Sequence, residues 1–218
     1  MNHFIRGLFD KPRFGKRLLW CFLAVIFMGF SVSWLKYVNW GTDPCSLMNF
    51  AISEKIGWSF GNWLALLNVC LFLIVIAKGR DKIGLGTILN MFLVGYSCDF
   101  MTWLREKLFP DLVISSLWVK ILIMLVTLVI FVFTVAVYLA VDLGTAPYDA
   151  IPYILAEIGP GFSFTLVRIC WDVLVTVIGI VVGGGLFAGN FGIVTVIMAF
   201  TIGPCASFVR KRIQKYIS

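Results

Sequence analysis

The residues best suited to chemistry in this chain are charged and polar side chains inside long apolar stretches. Arg168 and Asp172 lie four positions apart in one such stretch, so they share a helical face and can form an ion pair. Asn68 occupies the place of Asp172 in an equivalent stretch 104 positions earlier. Because ionisable groups are costly in hydrocarbon, these residues are functional candidates. The alternative for Arg168 and Asp172 is a structural ion pair that neutralises itself between helices.

Two more polar residues lie in a third apolar stretch. Asn90 is deep within it, and Asp99 is close to its predicted outer end. In a transport cycle, either Asp172 or Asp99 could take up the coupling proton or ion. Asp99 also has a structural interpretation, because it lies so near the membrane interface.

A four-residue motif that occurs twice supplies further candidates. Gly41–Pro44 (GTDP) recurs 103 positions later as Gly144–Pro147 (GTAP). In each copy the glycine allows a sharp turn, and the proline suits the first turn of a helix. Asp43 is a good N-cap, whereas Ala146 is a poor one.

The helix predicted after each motif is too short to cross a membrane. Cys45–Ile56 and Tyr148–Ile158 each have about a dozen residues, or roughly 18 Å at 1.5 Å per residue. Short helices at matching positions of two halves mark transporter binding sites, and their N-termini suit an anionic group. We therefore expect both helices to be re-entrant and to flank one cavity; a helix flat on the membrane is the alternative. The candidate binding residues are Thr42, Asp43, Asn68, Asn90, Thr145, Asp149, Arg168 and Asp172.

The elements that must position these residues are transmembrane helices. Apolar residues make up 61% of the chain and charged residues 13%, and the mean hydropathy is +0.98. Soluble domains contain about a quarter charged residues. The apolar runs are continuous and of span length, which predicts helices rather than a β-barrel. Six runs qualify: 18–37, 61–77, 83–103, 118–141, 162–182 and 191–209.

The distribution of charge predicts how the chain is oriented. The net charge is +7, and twelve of the eighteen Lys and Arg residues lie in the terminal segments and in the loop between the second and third spans. The positive-inside rule therefore places both termini in the cytoplasm. Attraction to anionic lipid headgroups explains the basic ends, so we expect membrane lipid and no nucleic acid as a partner. These features indicate a multi-pass protein of the plasma (inner) membrane.

The repeated motif belongs to a longer internal duplication. Gly84, Thr87, Gly95 and Phe100 of the third span reappear 108 positions later in the sixth. Each copy contains three spans, an odd number, so the second copy must enter the membrane from the opposite side. The predicted fold is an all-α membrane protein with six transmembrane helices as two inverted three-helix repeats, each with a short broken or re-entrant helix after its first span. The predicted segments are a cytoplasmic basic lead (1–17), repeat 1 (18–109), the inverted repeat 2 (118–209) and a cytoplasmic basic tail (210–218).

The sequence contains no motif that is typical of an enzyme active site. The six cysteines have no metal-ligand spacing, and the single histidine, His3, lies in the lead segment. There is no phosphate-binding loop, no G-x-S-x-G and no H-E-x-x-H motif. We therefore expect no catalytic residue, no metal and no cofactor.

Several motifs resemble those of a known family, the bacterial YczE-like membrane proteins, which are relatives of the YitT group. The motifs that carry the resemblance are Gly41–Pro44, Ile56–Gly61 and Gly84–Asn90 with Gly95 and Asp99. The resemblance covers nearly the whole chain after the lead segment, although the second half departs from it at Ala146 and Pro204. That family is a set of uncharacterised multi-pass bacterial proteins, so the resemblance implies a membrane location and no substrate.

Three functions are compatible with these features. The duplication favours a small secondary transporter of an anionic or zwitterionic small molecule, working by alternating access. In that case Arg168 and the short-helix N-termini would hold the substrate. The second is a substrate-binding membrane subunit of a larger importer, which would need a partner membrane subunit. The third is a membrane-embedded accessory protein or enzyme that handles a lipid or secondary metabolite. A homo-oligomer is compatible with each of them.

Overall fold

The computed structural model describes residues 11–159, 161, 163–186 and 191–217, and over these ranges all regular secondary structure is helical. The predicted lead up to position 10, which includes His3, lies outside the described residues. So do Phe162 at the predicted start of the fifth span and Ser218 at the end of the predicted tail. The helices are α1 (Phe14–Val38), α2 (Pro44–Ile56), α3 (Phe60–Lys78), α4 (Leu85–Leu108), α5 (Leu117–Val141), α6 (Pro147–Ile158), α7 (Phe164–Val182) and α8 (Ile193–Ile217).

Five of these helices are long and apolar enough to cross a membrane: α1, α3, α5, α7 and α8. The all-helical class is therefore confirmed, together with several helices able to span a bilayer. The predicted third span forms α4, a helix of 24 residues, which is about 36 Å at 1.5 Å per residue. It is less apolar than the other five because it carries Asn90, Ser97 and Asp99. A sixth crossing through α4 stays a prediction.

The long helices α1 and α5 end in the same way before the two short helices begin. Asn39 and Asp142 both have left-handed backbone conformations, with φ of 58° and 51°. Gly41 and Gly144 follow with φ of +111° and +107°, values that residues other than glycine rarely adopt. The two copies of the Gly-Thr motif therefore build the same turn, and each turn leads directly into α2 or α6.

Each of these turns is fixed by the start of the last long helix of the other half. At the first joint, Val194 N donates to the Trp40 carbonyl (3.1 Å) and Thr42 N donates to Thr195 Oγ1 (3.2 Å). At the second joint, Gly86 N donates to the Leu143 carbonyl (2.7 Å). We call these contacts the first and second joints.

The two joints lie at opposite ends of the central helix pair. The helices α1 and α5 pack against each other, and Arg17 Nη1 at the start of α1 donates to the carbonyl of Val141 at the end of α5 (2.8 Å). The two helices are therefore antiparallel. Lys16 Nζ also donates to the carbonyl of Tyr216 (3.1 Å), so the start of α1 lies beside the end of α8.

The remaining helices pack around this pair in an exchanged pattern. The helix α4 packs on α1, and α8 packs on α5. Each short helix lies mainly against a long helix of the other half, so α2 packs on α7 and α6 packs on α3. The pattern is unequal at one place, because α3 packs closely on α4 whereas α7 makes little contact with α8.

We expect this inequality to be visible in two matched glycine variants. A Cβ added to Gly95 would lie 2.7 Å from Gly61 Cα, whereas a Cβ added to its counterpart Gly203 meets nothing within 4 Å. Gly95→Ala should therefore lower the free energy of unfolding by about 2 kcal/mol through overpacking. Gly203→Ala should leave it unchanged or raise it, since alanine favours a helix. Unfolding of both variants in detergent micelles checks this, and equal effects would contradict the packing difference.

Candidate functional site

A group of oppositely charged side chains in mutual contact surrounds Arg168 of α7. Its Nε donates to Asp172 Oδ2 (2.9 Å), and its Nη1 donates to Asp149 Oδ1 (2.6 Å). The ion pair expected from the four-residue spacing is present. Asp149, predicted only as a binding residue, is a second partner that comes from α6. The Arg168 and Asp149 side chains are 28% and 33% exposed, whereas that of Asp172 is 9% exposed.

Local sequence places Arg168 and Asp149 near the beginnings of two helices. Ser163 Oγ accepts a hydrogen bond from Leu166 N and so starts α7, which puts Arg168 in its second turn. Pro147 is the first residue of α6, so Asp149 lies in the first turn of that helix. A carboxylate there is favourable because the N-terminal end of a helix is electropositive.

Tyr148 completes the coordination of Asp172. Its hydroxyl donates to Asp172 Oδ1 (2.9 Å), so both oxygens of this carboxylate have a partner. The Tyr148 ring lies 5.6 Å from the ring of Trp171 and 5.5 Å from the Arg168 guanidinium carbon. Sequence reasoning missed Tyr148. Its position directly after Pro147 of the repeated motif is the signal that could have identified it.

The N-terminal turn of α2 reaches the same region from the other half. Asp43 caps this helix by accepting a hydrogen bond from Ser46 N at Oδ1 (3.1 Å). The carboxylates of Asp149 and Asp172 are close enough to Asp43 to interact with it electrostatically. Met48, one turn into α2, packs in the same apolar cluster as Tyr148. The N-terminal turns of both short helices therefore lie in the same region of the protein as Arg168. We call Asp43, Tyr148, Asp149, Arg168 and Asp172 the polar centre.

Two acceptor atoms on α2 have no hydrogen-bond partner. Asp43 Oδ2 is buried and unpartnered in a residue that is 8% exposed. Asn49 Oδ1 is also unpartnered, although its amide nitrogen donates to the Cys45 carbonyl (2.7 Å) and lies 3.4 Å from Cys45 Sγ. Asn49 is fully buried and was not predicted from the sequence. Among the described residues, no group of three or more His, Cys, Asp or Glu is arranged to hold a metal ion.

Four of the predicted site residues lie outside the polar centre. The backbone N–H of Thr42 donates to Thr195 Oγ1, and the backbone N–H of Thr145 donates to the Lys82 carbonyl (2.9 Å). Both residues therefore fix the turns. Asn68 donates from Nδ2 to the Met91 carbonyl of α4 (3.3 Å). Asn90 is half-buried on α4.

Asp99, predicted as a coupling residue, ties two helices together. Its Oδ2 accepts a hydrogen bond from Gly61 N (2.8 Å) at the start of α3. Gly61 and Gly95 are in close contact at the same place, so Asp99 is part of the tight α3–α4 packing. This contact agrees with the structural interpretation of Asp99.

Two surface depressions lie outside the polar centre. They are lined by Gly57, Trp58, Ser59 and Asn62, and by Asn39, Trp40, Gly192 and Ile193. Neither contains Thr42 or Thr145, although a common cavity was expected to reach them. Thr42 is fully buried. Eight residues of α2 and six of α6 are buried within the protein.

Comparison with known proteins places the chain in a family. Residues 15–211 match the family described as "Family of unknown function (DUF6198)". The chain belongs to this family. Its matched range begins in α1 and ends in α8, so it includes both short helices and the whole polar centre.

The similar curated proteins are bacterial and are themselves described as uncharacterized. One from Haemophilus influenzae is 25% identical over 170 residues, which is 77% of this chain and 71% of that protein. "Uncharacterized protein YyaS" of Bacillus subtilis is 24% identical over 80% of this chain and 83% of its own. "Uncharacterized membrane protein YczE" of the same organism is 24% identical over 62% of this chain and 61% of its own length. The YczE-like resemblance is thereby confirmed. No solved structure matches the chain significantly.

Proposed function

We propose that this protein is a small secondary transporter that moves a small solute across the bacterial plasma membrane by alternating access. One observation carries the proposal: two half-length helices, one in each half, begin beside one partly buried polar centre. Such broken helices near the middle of a membrane protein form the substrate and ion sites of many transporters. The protein would act in lipid without a cofactor or a catalytic residue.

The exchanged packing supports two inverted repeats, α1–α4 and α5–α8, with α4 as the sixth crossing. Equivalent turns at Gly41 and Gly144 lie at opposite ends of the antiparallel pair α1 and α5. Both termini would then be cytoplasmic, which agrees with the contact between Lys16 and Tyr216. The tight α3–α4 packing and the loose α7–α8 packing are what inverted repeats would adopt in two different conformations, and alternating access requires such a difference.

The polar centre also bears on the class of substrate. Arg168, expected to hold an anionic group, already has two carboxylate partners. A free anion would have to displace one of them. A zwitterion is a better fit than a simple anion, because its positive group would find the unpartnered oxygen of Asp43. Its carboxylate would approach α6, whose N-cap Ala146 offers no side-chain acceptor to the helix N-terminus.

The topology is tested by cysteine accessibility. Lys55→Cys at the end of α2 and Glu157→Cys at the end of α6 would be made in a variant without the six native cysteines; both positions are exposed. We expect an impermeant maleimide to label position 55 on intact cells and position 157 only after permeabilisation. Labelling of both positions from the same side would contradict the inverted repeats.

Transport itself is tested with purified protein in liposomes. Uptake of radiolabelled glycine, methylammonium and acetate would be followed with and without a proton gradient. We expect saturable uptake of the zwitterion or the cation above that of protein-free liposomes. If none of the three is taken up and the protein copurifies with another membrane subunit, it is a component of a larger importer. If no partner copurifies either, the accessory-protein hypothesis is favoured.

A further inference from the structure

The unpartnered carboxylate oxygen of Asp43 points to the charge of the ligand. We propose that Asp43 binds a single positive charge at Oδ2, carried by a proton, a sodium ion or the ammonium group of a solute. This inference rests on the proposed function for its role in transport and names the ligand chemistry of the same site. The binding itself is measured without transport.

The surroundings of Asp43 leave its negative charge uncompensated. Its Oδ1 bonds to Ser46 N, but its Oδ2 is buried without a donor. An ionised carboxylate in such a place is strongly disfavoured unless a positive charge accompanies it. The N-terminus of α2 supplies the equivalent of about half a unit charge, which compensates only part of it.

The neighbouring helices add negative rather than positive charge. Asp149 of α6 and Asp172 of α7 both repel a charge on Asp43, and Cys45 of its own helix is uncharged as a thiol. Arg168 is the cation in this group, and it is held by the other two carboxylates. The polar centre thus contains three carboxylates and one guanidinium.

The available ligand atoms indicate a monovalent charge. Divalent ions are usually bound by several carboxylates, and no suitable group of three His, Cys, Asp or Glu is present in the described part of the chain. Asp43 Oδ2 provides one negative oxygen. Asn49 Oδ1, a neutral acceptor without a partner, lies on the same short helix beside Cys45. Asp43 Oδ2 has no donor, and it would accept one from an ammonium group or coordinate sodium.

The variant that tests the inference is Asp43→Asn. Asparagine is as good an N-cap as aspartate, so its Oδ1 keeps the bond to Ser46 N and α2 keeps its start. Its Nδ2 places two donors where the positive charge would lie. Asp43→Ser, which also caps a helix, is the second variant. Asp99→Asn is the control, because the Asp99 carboxylate already accepts a bond from Gly61 N.

The melting temperature of the purified protein in detergent is the measurement. Three series would be recorded: sodium chloride against choline chloride, methylammonium chloride against choline chloride, and pH from 8 to 5. We expect at least one series to raise the wild-type melting temperature by about 5 °C at roughly a hundred times the dissociation constant. The series that does so identifies the carrier. The rise should persist in Asp99→Asn and disappear in Asp43→Asn and Asp43→Ser.

The inference is overturned if the wild-type protein responds in none of the series, or if both Asp43 variants respond like the wild type. Failure of the transport proposal looks different. In that case liposomes show no uptake, although the response of the melting temperature still depends on Asp43. If uptake is unaffected by Asp43→Asn, the transport proposal is retained, but the proposal that Asp43 binds a positive charge is wrong.

Discussion

Replacement of Arg168 by leucine is expected to destabilise the protein by about 3 kcal/mol and to abolish the proposed transport activity. The guanidinium compensates Asp149 and Asp172, and without it the buried Asp172 carboxylate keeps only the Tyr148 hydroxyl as a partner. Removing one member of a buried ion pair leaves an uncompensated charge, at a cost of about 3–5 kcal/mol. Because Arg168 is partly exposed, we expect a cost at the lower end of this range. Unfolding in detergent micelles and uptake in liposomes measure the two effects.

The matched control for this prediction is Lys120→Leu, at the start of α5 and remote in sequence from the polar centre, which should change neither property. A double variant, Arg168→Leu with Asp172→Asn, should recover part of the lost stability, because the uncompensated carboxylate is removed as well. If the single and double variants are equally unstable, Arg168 stabilises the protein through packing and not through its charge. If Arg168→Leu retains full uptake, the residue is structural.

Replacement of Gly84 or Gly192 by alanine is expected to lower the free energy of unfolding by about 3 kcal/mol, the upper end for overpacked sites. A Cβ on Gly84 would lie 2.0 Å from the Leu143 carbonyl oxygen, and one on Gly192 would lie 2.1 Å from that of Trp40. Both obstacles are backbone atoms, so they cannot move without breaking a joint. Unfolding in detergent micelles measures the effect.

Gly15→Ala serves as the control for the joint variants, because a Cβ there meets nothing within 4 Å. It should be neutral. Since the two joints are equivalent, Gly84→Ala and Gly192→Ala should have similar effects. A neutral result at either position would contradict the close backbone contact at the corresponding joint.

The features of the fold that depend on local patterns could be predicted from the sequence. The all-helical class follows from continuous apolar runs, and the Gly-Thr turns, the Asp43 cap and the Arg168–Asp172 pair all depend on residues within a few positions of each other. The apolar pattern was weakest for α4, where polar residues face other helices. Asp99, for example, accepts a hydrogen bond from Gly61 N at the start of α3.

Contacts between distant segments were not predictable in the same way. No spacing relates Asp149 to Arg168, because they lie on different helices, and Tyr148 could not be assigned to Asp172 for the same reason. The duplication suggested that Asn68 and Asp172 would play equivalent parts. Their partners differ: Asn68 bonds the Met91 carbonyl of α4, whereas Asp172 bonds Arg168 and Tyr148.

The joints also set an order for assembly during biosynthesis. The Trp40 carbonyl receives its hydrogen bond from Val194, which is translated 154 residues later. Backbone groups without a partner are costly in hydrocarbon. The end of α1 therefore stays incomplete until the ribosome has made the last helix, and a chain truncated before Gly192 would keep that defect. Each half thus depends on contacts from the other, and the single polypeptide guarantees that the two are made in equal amounts.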